Sequence, residues 1–247
     1  MPRKFRRYSK RKNYLSTRRI FSYRSARSQA NQIYLLKKRL SRVYKQVKPE
    51  IKTIITPSYT STFTSDALAD IFMGIQMPGI TQGPGDSNRI GNNIKIKSYS
   101  VPMMFQYYND STTGYHNTES AGACVRVFAI QRKGCEAVNE SWGLVDFFGT
   151  SSYTGSEYDT LGVKPFIEGI TERFKILCDY RFTLTSDRNQ KQFKLKLKNV
   201  SPIRYEQDGS KCNYVKVYIV VCGIHWDTDF KEYVKANYMV KTAFTDA

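Results

Sequence analysis

The sequence predicts an all-β body, a sandwich or barrel, behind a basic N-terminal arm. Three observations lead there. Residues 1–48 hold 17 of the 39 lysines and arginines and no acid. From Ile51 onward apolar residues recur at every second position over at least seven segments, the period of a strand with one buried face. Hydrophobic residues make up 40% and aromatics 14% of 247 residues, enough for the core of one domain.

The arm divides in two. Residues 3–27 mix Arg and Lys with Tyr, Phe and Ser and show no apolar period. Like charges this close repel, so the segment is expected to stay unfolded until phosphates neutralise it. Arginine grips phosphate bidentately, and an aromatic ring stacks on an unpaired base. The candidate nucleic-acid-binding residues are Arg3, Lys4, Arg6, Arg7, Tyr8, Lys10, Arg11, Lys12, Tyr14, Arg18, Arg19, Phe21, Tyr23, Arg24 and Arg27. The same cluster reads as a nuclear-import signal. Farther on, Ile33, Leu36, Leu40, Val43 and Val47 recur at steps of three and four. That spacing predicts an amphipathic helix over about 29–48, ended by Pro49. Its stripe is expected to pack on the body or on a neighbouring copy.

In the body, strands are expected over 51–64, 93–108, 123–131, 172–185, 192–200, 214–226 and 233–244. Lys194, Lys196 and Lys198 alternate with Phe193, Leu195 and Leu197, a half-buried strand. One short helix is expected over 141–148, capped by Asn139 or Ser141. Many strands with almost no helix argue for a sandwich or barrel, not a βαβ fold. The domains are therefore an arm, 1–48, and a body, 49–247.

Beyond the arm, 22 basic residues face 21 acids, so the body is neutral on balance. A net +18 of this distribution points to a polyanionic partner. The longest apolar run, 218–224, is far short of the ~20 residues of a membrane helix, so no integral membrane association is expected. No apolar segment follows the basic start, so no secretory signal is expected.

Catalytic groups are sparse. There are two histidines, His116 and His225. No Gly-x-Ser-x-Gly elbow occurs, and 83–91 fits neither phosphate-binding glycine pattern; it reads as a turn. The five cysteines, 124, 135, 178, 212 and 222, have no Cys-x-x-Cys pair. They are expected to be reduced and mostly buried, with no zinc and no other metal or cofactor. Asp227 and Asp229 are expected in a solvated turn. An enzyme is not expected.

A basic Arg/Tyr-rich arm before an all-β body of this size resembles the capsid protein of small circular single-stranded DNA viruses. The segment 83–100, GPGDSNRIGNNIKIKSYS, is similar to the glycine-rich turn, Arg-x-Gly and following strand near the front of geminivirus-like and related capsid proteins. VRVFAIQR at 125–132, ERFKILCD at 172–179 and KANYMVKTAFTD at 235–246 are similar to later strands, in the same order. The chain departs from geminivirus coat proteins in lacking an evident Cys/His cluster. The resemblance implies an eight-stranded jelly roll and an icosahedral homo-oligomer. It also implies an arm turned inward onto single-stranded DNA, with import receptors delivering the protein to the host nucleus. A nuclear-shuttle carrier that forms no particles is the alternative.

Overall fold

The computed structural model describes residues 26–46, 50–64, 71–111, 122–136, 142–149, 161–206, 211–224 and 230–246. It divides into two units, Met1–Pro49 and Glu50–Ala247. In the first unit, helix α1 spans Ala26–Gln46. It begins three residues earlier than the periodicity suggests, because Ala26–Ala30 contains neither proline nor glycine to delay it.

The second unit begins with β1 (Lys52–Ile55), β2 (Tyr59–Phe63), β3 (Phe72–Gln76), β4 (Asn93–Ser111), β5 (Ala123–Arg132) and β6 (Cys135–Glu136). Two short helices follow, α2 (Leu144–Phe148) and α3 (Ile170–Arg173). The chain closes with β7 (Phe174–Leu184), β8 (Gln190–Leu197), β9 (Ile203–Tyr205), β10 (Lys211–Cys212), β11 (Val215–Cys222), β12 (Phe230–Tyr238) and β13 (Lys241–Asp246).

These strands form two antiparallel sheets. In the larger one, β1 and β2 are a single strand interrupted at Pro57. They pair with β13 and β12, which lie end to end along one edge of β4. Where both interruptions fall, Thr56 N–H donates to Val240 O at 2.9 Å and Val240 N–H to Thr56 Oγ1 at 2.9 Å. Strand β8 pairs with the other edge of β4, and β9, β10 and β6 continue beyond its end. The smaller sheet has the order β3-β11-β5-β7.

Counting each interrupted strand once, the long strands lie in chain order as first, eighth, third, sixth in one sheet. The other holds the second, seventh, fourth and fifth. Successive strands cross from sheet to sheet except the fourth and fifth, which are neighbours in the smaller sheet, and this order of two Greek keys is an eight-stranded jelly roll. The sandwich closes through Phe105 of β4, whose ring meets Phe182 of β7 edge-on at 5.3 Å. Val101, Met103, Val125, Val127, Val217, Ile219, Leu195 and Val234 are buried around it.

The expected strands are present with altered limits. The segment expected at 192–200 ends at Leu197, because Asn199 takes a left-handed φ of 57°. That expected at 214–226 ends at Cys222, before Gly223 with φ 78°. Strand β3 was not legible in Phe-Met-Gly-Ile-Gln. Helix α2 is capped by Gly143, not by Asn139 or Ser141. The Asp146 carboxylate accepts the Gly143 N–H at 3.0 Å, the half of a capping box that runs from the third helical residue back to the cap.

Candidate nucleic-acid interface

Of the arm residues assigned to nucleic acid, Arg3 through Arg24 lie outside the described residues, and Arg27 lies in the first turn of α1. Along that helix Lys37, Lys38, Arg39 and Arg42 are exposed and no acidic residue opens its first turn. Of the apolar stripe, Ile33, Leu36, Leu40 and Val43 are 65%, 52%, 66% and 52% exposed.

In the body, His116, His225, Asp227 and Asp229 lie outside the described residues. The glycine stretch folds as a turn built on its own side chains. Arg89 Nη1 donates to Gly91 O at 2.6 Å and to Asn92 Oδ1 at 3.1 Å, and its guanidinium lies 4.2 Å over the Tyr205 ring. Asn88 Oδ1 accepts from Thr81 Oγ1 at 2.8 Å. A Cβ on Gly83 would stand 2.8 Å from Asn88 Nδ2, so a side chain there would push the Asn88 amide aside.

The cysteines correct one expectation. Cys135 and Cys212 are joined in a disulfide, because β6 and β10 pair in a register that sets them opposite each other. Glu206 Oε1 lies 3.8 Å and 3.6 Å from the two sulfurs. With the sulfurs joined, this trio offers no thiolate to a metal. Cys124, Cys178 and Cys222 are in the thiol form. Cys124 and Cys222 are also register partners, on β5 and β11. The hydrogen bond from Cys222 brings the Cys124 thiol down to about 7 against the effect of burial, helped by Arg181 and Arg126. Burial pushes Cys178 up to about 11.

Arg126 is the main charged group of the smaller sheet, and it is fully buried. It holds Asp179 bidentately, Nε to Oδ1 and Nη2 to Oδ2 both at 2.8 Å. Its Nη1 donates to the carbonyls of Leu161 and Lys164 at 3.2 and 2.5 Å, and its plane lies 4.6 Å from the Phe166 ring. Burial would raise the Asp179 carboxyl, yet Arg126 and then Arg181 hold it below its ordinary range. This arginine fastens the segment 161–166 onto the sheet and is closed to an external phosphate.

The larger sheet is different, and here a cationic surface was missed. Val101, Met103 and Phe105 of β4, Leu195 and Leu197 of β8, and Val234 and Ala236 of β12 point into the core. Their neighbours therefore point out. Register places Lys241, Ser100 and Lys196 in one row across three strands. Further rows hold Pro102 with Lys194, then Asn237, Met104 and Gln192, then Lys235, Gln106 and Gln190. Lys95 and Lys97, farther along β4, are exposed as well. The carboxylates described on these strands do not answer them: Glu232 is 1% exposed, and Asp246 pairs with Lys52 at 2.9 Å. The alternation of Lys194, Lys196 and Lys198 was visible in the sequence, but the meeting of β4, β8 and β12 was not.

The fold is thus that of a jelly-roll sandwich carrying cationic surfaces. No family model matches this chain, and no curated protein matches it. Among solved structures it is similar to the VP2 subviral particle of infectious bursal disease virus. There it is 10% identical over 81% of this chain and 38% of that chain, with a TM-score of 0.24. It is also similar to T=1 particles derived from infectious bursal virus, 8% identical over 81% of this chain and 37% of that chain, with a TM-score of 0.27. The chain spans under two fifths of the length of both.

Proposed function

We propose that this chain is the structural subunit of an icosahedral virus shell. It packages single-stranded DNA through its arm and reaches the host nucleus through import receptors that read the same arm. The observation that carries this reading is the joining of 17 positive charges without an acid to a body of 22 basic and 21 acidic residues. The jelly-roll order supports it, since viral capsid domains use this double-sheet architecture to protect strand edges at high local concentration. Roughly 60 copies, one at each position of the simplest icosahedral shell, would carry about 1,000 arm charges inward, enough for as many phosphates. The resemblance of 83–100 and the later strands to capsid proteins of circular single-stranded DNA viruses supports DNA as the cargo. The role is structural, not catalytic.

Electron microscopy of the purified full chain, with sequencing of the nucleic acid that accompanies it, tests this reading. Closed particles of uniform diameter holding one single-stranded genome are expected. Discrete nucleic-acid complexes without particles would replace the shell with a shuttle carrier. Deleting residues 1–27 should leave the particles empty, and full packaging by the truncated chain would remove the arm from the mechanism.

A further inference from the structure

We propose that the outward face of the larger sheet is a second binding surface for single-stranded nucleic acid, independent of the arm. It rests on the reading above only for the class of ligand. Four lysines from three strands, Lys194, Lys196, Lys235 and Lys241, share this face through the registers of β4 with β8, β12 and β13. Among the described residues none of the four pairs with a carboxylate. Lys194 and Lys196 stand one strand repeat, about 6.7 Å, apart on β8, and Lys241 lies two strand spacings, about 9.6 Å, from Lys196 across Ser100.

The face offers more than charge. Between the lysine rows lies a cleft of about 430 Å³, lined by Pro102, Met104, Gln192, Lys194, Asn237 and Met239. Pro102, Met104 and Met239 supply apolar surface to the flat side of a base. The two amides supply donors and acceptors to its edge. Thr60 Oγ1 donates to Asn237 Oδ1 at 2.6 Å, which fixes that amide and turns its N–H groups away from Thr60. At the other end, Tyr108 and Tyr233 stack with centroids 4.8 Å apart, and the Lys235 ammonium lies 4.9 Å from the Tyr108 ring. Phosphates on the lysines with an unpaired base in the cleft is an arrangement a single strand adopts and a duplex, with its bases turned inward, does not.

The test is anisotropy of a labelled oligothymidylate on the full chain, titrated over a range of salt. Each lost phosphate contact lowers the slope of log K against log salt by about 0.7 on a single strand. Replacing Lys194, Lys196, Lys235 and Lys241 by Gln is therefore expected to lower it by about 3. A control removes the same charge elsewhere, with Lys133, Lys175, Arg188 and Lys211 changed to Gln, and should move the slope by less than about 1. Equal slopes for the two variants would overturn the proposal. A third variant with Gln at Arg3, Arg6, Arg7, Arg11, Arg18 and Arg19 separates the two readings. An unchanged slope there defeats the arm while leaving the sheet face standing. Crosslinks from a 4-thiothymidine oligonucleotide are expected on peptides containing Met104, Lys194 and Met239. Crosslinks confined to residues 1–48 would overturn the cleft.

Discussion

The two outer faces of the sandwich are built from the same alternation and meet opposite fates. On the smaller sheet, β5 turns Arg126 and Phe128 outward and β11 turns Tyr218 and Val220 outward, and all four are buried. Phe147, Phe148 and the segment 161–166, from between β6 and β7, lie over them. The Phe128 ring meets Phe147, Phe148 and Phe166 edge-on at 5.3, 6.0 and 5.3 Å, and stacks on Tyr218 at 5.2 Å. A Cβ on Gly162 would come within 2.5 Å of Cys124 Sγ, which shows how closely that cover sits. On the larger sheet the outward residues of β8, Gln190, Gln192, Lys194 and Lys196, are exposed, and those in the middle of β4, Ser100, Pro102, Met104 and Gln106, are half-buried. One face has become a second core layer and the other a charged surface. Stability and binding are consequently written on different sides of the same molecule.

Mutations should separate the sides. The largest effect is expected from Phe128→Ala, which opens a cavity among four aromatic rings and should lower the unfolding free energy by about 3–5 kcal/mol in urea titrations. A loss under about 1 kcal/mol would mean that the cover contributes little packing.

Arg126→Ala comes next, at about 3 kcal/mol, because it leaves the Leu161 and Lys164 carbonyls beneath the cover without their donor and takes the bidentate partner from Asp179, which keeps only Arg181. This pair also fixes a pH dependence. The Asp179 carboxyl is held below its ordinary range when folded, so its contribution is complete above its ordinary value of 3.8. It is lost as the pH falls through the lower folded value. Thermal unfolding of Asp179→Asn between pH 5 and pH 2 should therefore decline less steeply than that of the unaltered chain. Parallel declines would show that the pair is not coupled to folding.

The smallest effect on stability is expected from the four-lysine change on the open face, within about 1 kcal/mol of the starting chain, since Lys194, Lys196 and Lys241 are exposed without a carboxylate partner and Lys235 loses only its contact with the Tyr108 and Tyr233 rings. A loss of several kcal/mol there would show that the open face is covered in the folded chain.

How much of this was legible follows from where each signal lies. Strand β8, Gln-Lys-Gln-Phe-Lys-Leu-Lys-Leu, alternates because one side meets water, and its face assignment could be read directly. Strand β11, Val-Lys-Val-Tyr-Ile-Val-Val-Cys, is nearly continuous in apolar residues because both sides are covered, and every residue in it is buried. Strand β3 escaped because Gly74 sits at its centre, where a Cβ would approach Tyr218 Cε1 to 3.1 Å. The reason for that glycine lies on β11, not in its own neighbourhood. The Cys135–Cys212 disulfide escaped likewise, since 77 positions separate its ends and only the pairing of β6 with β10 joins them.

The order of residues alone determined the class of fold, seven of the eight long strands and the separation of a cationic arm from a balanced body. Each is a local property, carried by hydrophobic period, by turn residues and by charge counted along the chain. Only the tertiary structure decided which face would be covered, which cysteines would meet and which lysines would share a surface. Those depend on sheet register, which brings β8, β12 and β13 onto β4 from more than eighty positions along the chain and has no signature within any single stretch of it.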